Sequence, residues 1–398
     1  MTLQAAAPLH PGPVSAAAAR RLPSAGPRMR LLMVTARYFP YVGGVEKHVY
    51  EVARRLARHG VDVTVLTTDP GGQLPASEQL EGVNIRRMRA WPAGAELYFA
   101  PGIYRAIPRG DWDLVHVQCY HTFVAPLAML AALRAGIPYV VTFHGGGHSS
   151  HLRNAARGIQ RALLRPLLAR AERLIAVARF EIDMYGKELR VPATQFALIP
   201  NGSDLPKVTH AGLPPGNHHQ TLIASVGRLE RYKGHQRIIA ALPTVLEQRP
   251  DARLWIAGQG PYEPALRRLA EQLGVADHVE IRGIPAAERE RMAAELSRAA
   301  LVVLLSEYET HPIAVIEALS LGCPVLVADN SGLSELAQLG LARAIPLNSS
   351  DRQVGMAVLE QLSQPRPAVN LELPTWDDCA ADLLALYRSV ARRPVCAS

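Results

Sequence analysis

The chain of 398 residues is 48% hydrophobic and 20% charged, so it is long enough for two ordinary domains with separate cores. It contains no run of about 18 apolar residues, which argues against a membrane-spanning helix. The net charge of +8 permits phosphate, nucleic-acid or anionic-membrane partners without choosing among them.

The first 28 residues are rich in Ala, Pro and Arg, contain no acidic residue and lack the apolar core of a secretory signal. Residues 1–28 are predicted to be a disordered leader, with a transit peptide as the alternative and Met29 as another candidate start. The four cysteines are widely spaced and form no Cys-x-x-Cys pair, so neither a zinc ribbon nor a disulfide framework is predicted. A reducing, cytoplasmic location is the simplest interpretation.

Residues 29–205 are predicted to form a first α/β domain. The strand 31–36, the helix 45–58 and the strand 61–68 make a βαβ unit, which implies parallel strands and a right-handed crossover. Further strands of this domain, separated by helical patterns, are predicted at 113–118, 138–143, 173–178 and 196–200.

Residues 206–220, rich in Pro, Gly, His and Asn, are predicted to be a linker. A second domain is predicted at 221–372, followed by a final helix at 373–393 that crosses back toward the first domain. The strands predicted for the second domain are 221–228, 252–258, 278–283, 300–306 and 324–329. The fold class is therefore α/β, with two doubly wound parallel sheets. Because such sheets bind ligands beyond the carboxyl ends of their strands, two facing domains would form a binding cleft.

A Gly-Gly pair follows the first strand. Gly43 and Gly44 allow a close backbone approach, and the helix after them begins with free N–H groups that suit a phosphate. The alternative is a plain tight turn. The pattern G-x-G-x-x-G is absent, which argues against a standard NAD site.

His144 leads three glycines after the strand at 138–143. It is interpreted either as a polar ring facing a cleft or as an incidental loop histidine. His144, His148 and His151 are also metal-ligand types, but three glycines make a poor rigid scaffold and no carboxylate lies nearby in the sequence. We therefore expect no metal site here.

Two cations follow the first strand of the second domain. Arg228 and Lys233 follow the apolar part of this strand, and Gly234 opens the next helix. Two cations that converge at a helix start can hold a diphosphate. The alternative is a solvated basic loop. The P-loop pattern G-x-x-x-x-G-K-[ST] is absent.

Two glutamates flank the start of a helix near the end of the second domain. Glu309 lies in the loop after a strand, Pro312 suits the first helical position and Thr310 is predicted to cap the helix. Glu317 lies about one turn into the helix, so both glutamates can lean toward one cleft. Carboxylates there would accept hydrogen bonds from vicinal sugar or ribose hydroxyls. The alternative is that they simply complement the helix dipole.

Taken together and in this order, these segments resemble the retaining glycosyltransferases of family 4. The matching segments are GGVEKHV, TFHGGG, IPNGSD, VGRLERYKG, IAGQGP and the pair Glu309–Glu317. The closing helix with Trp376 and Tyr387 is also similar. Each motif is weak alone, but the ordered set is specific and covers nearly the whole chain after residue 29. It implies the GT-B fold, in which two Rossmann-like domains face a cleft.

The resemblance implies transfer of a hexose from a nucleotide-diphospho-sugar to a hydroxyl acceptor, with retention, without metal and without a further cofactor. Gly43 and Gly44 would approach the donor phosphate or the acceptor. His144 would contact the transferred sugar. Arg228 and Lys233 would grip the diphosphate and stabilise the leaving nucleotide. No nucleic-acid partner is implied.

The resemblance also assigns roles around the two glutamates. Glu309 would hold hydroxyls of the donor sugar and Glu317 those of the ribose, while the backbone around Ile284 would meet the base. The family often has Gly-Phe-Gly after the first glutamate, where this chain has Thr310 and His311 followed by a proline. Proline has no N–H, so one amide contact to the donor is missing and His311 offers a polar group instead.

The acceptor side is less defined. Residues 152–174 contain six Arg and one Glu among apolar residues. They are predicted to form an amphipathic basic helix on the inner face of a cell membrane, near a lipid-linked acceptor. The alternative is an ordinary solvated helix kinked at Pro166.

Two other functions stay open at this point. One is a nucleotide-sugar epimerase or hydrolase of the same fold, which would act without an acceptor. The other is a non-catalytic nucleotide- or polyanion-binding protein, which would not need Glu309 or Glu317. A phosphorylase is disfavoured, because its cofactor lysine would lie late in the chain and no lysine follows Lys233.

Overall fold

The computed structural model describes residues 28–391 except 42, 93–97, 146–150, 204, 207–220, 286–287 and 366–372, and it does not describe the side chains of 151–157. The predicted leader and linker, and His148, therefore lie outside the described residues almost entirely. Within the described part, no helix combines the length and the apolar character needed to cross a bilayer.

The first half of the chain forms an eight-stranded sheet. Its strands are β1 (Arg30–Val34), β2 (Asp62–Asp69), β3 (Ser77–Leu80), β4 (Val83–Arg89), β5 (Leu114–Gln118), β6 (Tyr139–Thr142), β7 (Arg173–Ala176) and β8 (Phe196–Leu198). Their order is β3-β4-β2-β1-β5-β6-β7-β8. Seven strands are parallel, and only the edge strand β3 runs antiparallel to its neighbour. The sequence analysis did not anticipate β3 and β4.

Five helices accompany this sheet. They are α1 (Gly44–Arg58), α2 (Pro101–Ala106), α3 (Val124–Arg134), α4 (His151–Leu168) and α5 (Arg179–Leu189). The predicted basic helix at 152–174 is wrong in its extent, because α4 ends at Leu168 and β7 begins at Arg173. Pro166 lies inside α4 without ending it.

The second half forms a six-stranded sheet in which all neighbours are parallel. Its strands are β9 (Leu222–Val226), β10 (Arg253–Ala257), β11 (Val279–Ile281), β12 (Leu301–Leu304), β13 (Val325–Ala328) and β14 (Arg343–Ile345), in the order β11-β10-β9-β12-β13-β14. Its helices are α6 (His235–Leu246), α7 (Glu263–Gln272), α8 (Arg289–Ser297), α9 (Ile313–Ser320), α10 (Ser331–Gln338) and α11 (Asp351–Ser363). The predicted α/β class with two parallel sheets is confirmed.

The local pattern of apolar residues explains these elements. The central strands are continuous apolar runs, and Leu301, Val302 and Val303 of β12 are all buried because helices cover both faces of the sheet. Helix α1 buries Val49 and Val52 on one face at helical spacing.

The start of α9 differs from the prediction. Pro312 occupies the N-cap position with an extended backbone, and no side chain caps the helix there. The predicted cap by Thr310 is therefore wrong, because that residue lies two positions before the N-cap. Glu317 becomes the fifth residue of α9.

The final helix, α12 (Trp376–Val390), packs on the first half. Thr375 and Asp378 form a capping box at its start. Trp376 and Tyr387 are fully buried in a core that includes Leu31 of β1 and Val49 of α1. The chain therefore leaves the second half and returns to cover the first sheet.

Polar contacts also join the two halves directly. Lys47 of α1 pairs with Glu317 of α9, with 2.5 Å between Nζ and Oε1. The carboxylate of Glu335 on α10 accepts hydrogen bonds from the backbone N–H groups of Arg179 (3.1 Å) and Phe180 at the start of α5. The two halves are thus in direct polar contact at two separate places.

Candidate active site

Lys233 and Glu309 form an ion pair beyond the carboxyl ends of β9 and β12. Nζ of Lys233 lies 2.5 Å from Oε1 of Glu309. The loop reaches this position because Gly234 adopts φ +78°, and a Cβ there would lie 2.1 Å from the carbonyl oxygen of Leu305. A residue with a side chain would push Lys233 away from Glu309.

Glu309 is held at several atoms. Oγ of Ser306 donates to its Oε1 (2.9 Å), and its own N–H donates to Oγ of Ser331 (2.9 Å). Its carbonyl accepts the N–H of Gly332 at 2.9 Å. A Cβ on Gly332 would lie 1.7 Å from the carbonyl oxygen of Thr310, so glycine is required for this loop to close. The carboxylate is therefore buried and fixed in direction.

The charge of Lys233 is maintained by its partner. Burial disfavours the ammonium form, but the neighbouring carboxylate of Glu309 more than offsets this and raises the pKa of Lys233 above its usual value. Lys233 therefore carries its charge at neutral pH. A fixed cation at this place can face a phosphate without rearrangement.

Arg228 lies on the same loop with 50% of its side-chain surface exposed, and its Nη1 lies 3.8 Å from Oε1 of Glu230. Its Nη2 donates to the hydroxyl of Tyr232 at 2.7 Å. Beneath it, the buried His235 accepts from Oγ of Ser225 (2.9 Å) at Nδ1 and donates from Nε2 to the carbonyl of Arg228 (3.2 Å). Arg228 is thus held on a rigid loop with its charge available to a ligand.

Glu317 is also paired. Its Oε1 receives Nζ of Lys47 at 2.5 Å and the guanidinium of Arg289, and only 6% of its side chain is exposed. The two glutamates predicted to lean into one cleft are therefore both paired with cations, Glu309 with one and Glu317 with two. Lys47 and Arg289 were not identified from the sequence, although Lys47 stands inside the quoted segment GGVEKHV.

His144 follows β6 with the positive φ of 43°, which is unusual for a residue with a side chain. Its Nε2 lies 2.7 Å from Oε1 of Gln118, and its ring contacts that of His48 at 4.5 Å between centroids. Burial lowers the pKa of His144 well below 6.5, and neighbouring histidines add to the effect. His144 is therefore a neutral imidazole.

His48 and His311 are neutral as well. Burial lowers the pKa of each to about 4. Asn201 connects them, since its Oδ1 lies 2.8 Å from Nδ1 of His48 and its Nδ2 lies 3.4 Å from the carbonyl oxygen of His311. Asn201 of the segment IPNGSD thus contacts both His48 of GGVEKHV and His311 of the loop before α9. The spacing of these segments in the sequence does not predict this contact.

Gly43 is the N-cap of α1, with Gly44 as the first helical residue. A Cβ on Gly43 would lie 2.4 Å from Oε2 of Glu46, whereas one on Gly44 would meet nothing within 4 Å. Glu46 is buried beside Arg37, at 3.3 Å between Oε1 and Nε. Burial raises the pKa of this carboxyl group above its usual value.

The remaining predicted positions are placed as follows. Ile284 follows β11 and is partly buried against the core of the second half. The side chain of His151 lies outside the described part, as does His148. Among the residues that the structure describes, no group of three or more His, Cys, Asp or Glu side chains could hold a metal ion.

Two family models match consecutive parts of the chain. The family described as Glycosyltransferase Family 4 matches residues 42–207, and the one described as Glycosyl transferases group 1 matches residues 214–367. The boundary between the matches falls in the segment that separates the two sheets.

Among curated proteins, a GDP-mannose:cellobiosyl-diphosphopolyprenol alpha-mannosyltransferase of Xanthomonas oryzae pv. oryzae is 30% identical over 76% of this chain and 79% of its own length. This chain belongs to the family 4 glycosyltransferases. A D-inositol 3-phosphate glycosyltransferase of Nocardiopsis dassonvillei is similar over a longer range, with 29% identity over 87% of this chain and 90% of that protein. The enzyme is therefore a glycosyltransferase.

Solved structures of low sequence identity share the fold of this glycosyltransferase. Sucrose-phosphate synthase from Thermosynechococcus elongatus matches with a TM-score of 0.73 at 20% identity, over 91% of this chain and 99% of that one. HepE of Anabaena, in complex with UDP and glucose, matches with a TM-score of 0.68 at 18% identity, over 90% and 95% of the two chains. The predicted GT-B fold is confirmed.

Proposed function

We propose that the enzyme transfers a hexose from a nucleotide-diphospho-sugar to a hydroxyl acceptor, with retention and without a metal ion. One observation carries the proposal: the ion pair of Lys233 and Glu309 lies on the same side as the half-exposed Arg228, beyond the carboxyl ends of the second sheet. This places fixed positive charge and a fixed hydrogen-bond acceptor where ligands of such sheets bind.

The cations suit the leaving group. When the bond between the anomeric carbon and the phosphate oxygen breaks, negative charge develops on the nucleoside diphosphate. Lys233 and Arg228 would stabilise that charge. In other enzymes a bound divalent metal ion has this role. Glu309, beside Lys233, would accept hydrogen bonds from sugar hydroxyls and so fix the ring relative to the diphosphate.

We assign the binding of the nucleoside to Glu317 and to the backbone near Ile284. Oε1 of Glu317 is engaged by Lys47 and Arg289, which leaves Oε2 to accept from the ribose hydroxyls. The backbone near Ile284 follows a strand of the same sheet and would meet the base. Thr310 and His311, in the loop before α9, would complete the sugar pocket.

Retention follows if the acceptor attacks the face that the diphosphate leaves. We nominate no carboxylate as a nucleophile, because Glu309 is bound to Lys233 and Glu317 to two cations. The proton of the acceptor hydroxyl would pass to the departing phosphate oxygen as the new glycosidic bond forms. The neutral His144 would contact the sugar without adding charge to the reacting face.

The acceptor is proposed to be lipid-linked and reached by a peripheral membrane contact on the first half. On α4, Ile159 and Leu163 are 68% and 74% exposed, and Arg165 lies on the same helix. Phe99 and Phe123 add two half-exposed rings, 6.2 Å apart between centroids. Apolar side chains beside arginines suit an anionic interface. The name of the Xanthomonas relative states a diphosphopolyprenol-linked acceptor for that protein.

A donor panel tests the central proposal. UDP-, GDP- and dTDP-sugars would be scored for protection against thermal unfolding and for slow hydrolysis, and one nucleotide should raise the Tm clearly. Failure of every donor to stabilise the protein would overturn the proposal. The anomeric configuration of the product, read by NMR, tests retention, and EDTA should leave the rate unchanged. Strong inhibition by EDTA would contradict metal independence.

The membrane contact has its own test. Sedimentation with vesicles of phosphatidylglycerol and phosphatidylcholine should weaken when Ile159 and Leu163 are both replaced by Ser. The matched control is Leu273→Ser on the second half, where an apolar side chain is also exposed. Equal sedimentation of both variants would contradict the contact at α4.

A further inference from the structure

The side chain of Gln118 lies between two buried histidines at the end of β5. Its Oε1 is 2.7 Å from Nε2 of His144, and its Nε2 is 3.1 and 3.2 Å from the two ring nitrogens of His116. Gln118 is 2% exposed and His116 is fully buried. Neither residue is among those to which the family resemblance assigns a role.

The contact between Gln118 and His144 has a direction. An amide oxygen can only accept a hydrogen bond, so Nε2 of His144 must donate. A neutral imidazole carries one N–H, which leaves Nδ1 with a free lone pair. No hydrogen bond within the described part of the chain engages this Nδ1. His144 therefore presents an acceptor atom to whatever occupies the cleft.

Gln118 is itself held in place through His116. The two ring nitrogens of His116 lie 2.6 Å from the hydroxyl of Tyr387 and 2.7 Å from Oγ1 of Thr142. Rotation of the His116 ring would break both bonds in a buried region, where leaving a polar group unpaired is unfavourable. The series Tyr387, His116, Gln118 and His144 thus links the final helix α12 to the site.

The backbone supports the same arrangement. Cys119, directly after Gln118, has φ 64°, and His144 has φ 43°. Both are residues with side chains in the left-handed region, and the N–H of Cys119 donates to the carbonyl of Thr142 at 2.8 Å. Such conformations are unfavourable for residues with side chains and persist where the surroundings determine them strongly. The ends of β5 and β6 are therefore shaped so that Gln118 and His144 meet.

We propose that Gln118 is a positioning residue that fixes His144 in its Nε2–H tautomer and so presents Nδ1 as a neutral acceptor for a hydroxyl of the donor sugar. The part played by the sugar rests on the proposed function. The tautomer is a property of the protein alone. Because the acceptor cannot pair with a sugar that lacks the hydroxyl, this nitrogen also discriminates between donors.

The tautomer can be measured without substrate. Full-length protein labelled with ¹⁵N-histidine would be studied by NMR at pH 7, with His144→Gln used to assign the two ring nitrogens. The expected result is a protonated Nε2 and an unprotonated Nδ1. A protonated Nδ1 would overturn the proposal, whatever the activity of the enzyme.

A matched pair of variants tests positioning. Gln118→Met removes both amide contacts at nearly constant volume, and Gln361→Met makes the same change at another buried glutamine, on α11 of the second half. With UDP-glucose and GDP-mannose as donor probes, Gln118→Met should lower kcat by about 10–100-fold, since misplacement of a group by about 1 Å has an effect of this order. Gln361→Met should not. Unchanged tautomer signals and kinetics in Gln118→Met would overturn the proposal.

A conservative variant separates positioning from mere packing. Gln118→Glu keeps an acceptor oxygen beside His144, so the tautomer and much of kcat should return at high pH. The added charge raises the pKa of His144, so activity should fall as the pH falls and Nδ1 becomes protonated. The titratable groups that face His144 are His48, His116 and His121. The wild-type enzyme should lack this acidic limb. Loss of activity in Gln118→Glu at every pH would contradict the role.

Failure of this inference and failure of the proposed function are distinguishable. If no nucleotide sugar binds, the function fails while the NMR result still reports the tautomer. If transfer occurs but the tautomer is wrong or independent of Gln118, only the present inference fails.

Discussion

The two sides of the cleft hold their buried polar groups in different ways. On the first half, His48, His116 and His144 are kept neutral by burial, which lowers the pKa of each. On the second half, Lys233 is paired with Glu309 and Arg289 with Glu317. The first half thus contributes a cluster of neutral hydrogen-bonding rings, and the second half contributes the ion pairs of Glu309 and Glu317.

The difference follows from the chemistry of the side chains. An imidazole titrates near pH 6.5, so desolvation can remove its charge within the physiological range. Arginine cannot lose its proton and lysine loses it only at a large cost, so their burial requires a carboxylate partner. The contrast suits the proposed reaction, in which the diphosphate and the sugar hydroxyls meet fixed charges on the second half and the neutral His144 contacts the sugar from the first half.

The largest effect on kcat is expected from variants that remove one member of the Lys233–Glu309 ion pair. Lys233→Ala should lower kcat by about 10²–10³-fold, as removal of a single group that stabilises developing charge does. Glu309→Gln should also abolish most transfer while the fold survives. Single-turnover kinetics with the donor selected by the panel would measure this. Lys187→Ala, at an exposed lysine of α5, is the control. Full activity in Lys233→Ala would contradict the proposed role of the cation.

The ion pair between the halves should give the next largest effect. A double-mutant cycle of Lys47→Met and Glu317→Gln, read by thermal unfolding without donor, should show a coupling of about 1–3 kcal/mol. The reason is that Glu317 is almost fully buried and Lys47 is 19% exposed, so solvent screens the pair weakly. A coupling energy near zero would mean that Lys47 of α1 does not interact with Glu317 and that the ion pairs are confined to the second half.

Two buried histidines of the second half, His235 and His311, are also kept neutral by burial, and His235 offers a test by pH. Burial lowers the pKa of His235 to about 4, below the value of about 6.5 in the unfolded chain. The unfolded state therefore binds more protons between these values, and the stability from this residue is complete above about pH 6.5 and lost as the pH falls. Between pH 7 and 5 the loss is about 2 kcal/mol.

His235→Gln should consequently show a weaker decrease of stability with falling pH than the wild-type protein, in urea unfolding at pH 5, 6 and 7. His59→Gln, at an exposed histidine of the first half, should leave the pH dependence as it is. Identical pH dependence in His235→Gln and the wild type would show that the ring already carries its proton or is hydrated.

The smallest effect is expected from a variant that removes one hydrogen bond from the neutral histidines of the first half. Tyr387→Phe removes the hydroxyl 2.6 Å from His116, and should cost about 1 kcal/mol of stability and lower kcat less than Gln118→Met does. The comparison of the two kcat values would measure how far the restraint from α12 reaches toward His144. A larger effect of Tyr387→Phe than of Gln118→Met would reverse the proposed order of contacts.

Much of this architecture was predictable from local patterns. The alternation of apolar strands and amphipathic helices indicates two parallel sheets, and Arg228, Lys233, Glu309 and Glu317 were predicted as site residues because each follows a strand. The edge hairpin of β3 and β4 was not predicted. All four residues of β3 are exposed, and three of them are polar, so this strand shows no alternation of apolar and polar residues. Exposed edge strands carry little of the hydrophobic signal on which such predictions depend.

The partners of the predicted residues could not be found in the same way. Gln118 and His144 are 26 positions apart, and Lys47 and Glu317 are 270 apart. No local spacing encodes such contacts, since they depend on how the sheets twist and face one another. The glycine requirement at 332 has the same origin, because the oxygen it must avoid belongs to Thr310.

The contact of Glu335 with the start of α5 has a consequence for the order of events in a catalytic cycle. The third residue of α5 is Glu181, whose carboxylate accepts the N–H of Gly145, the neighbour of His144. Separation of the halves would remove Glu335 from the N–H groups of Arg179 and Phe180 and expose that end of the helix to water. The support of the histidine loop would then loosen whenever the cleft opens. Product release and loss of the catalytic geometry would then occur in one step. The open enzyme would therefore not hydrolyse its nucleotide-sugar donor.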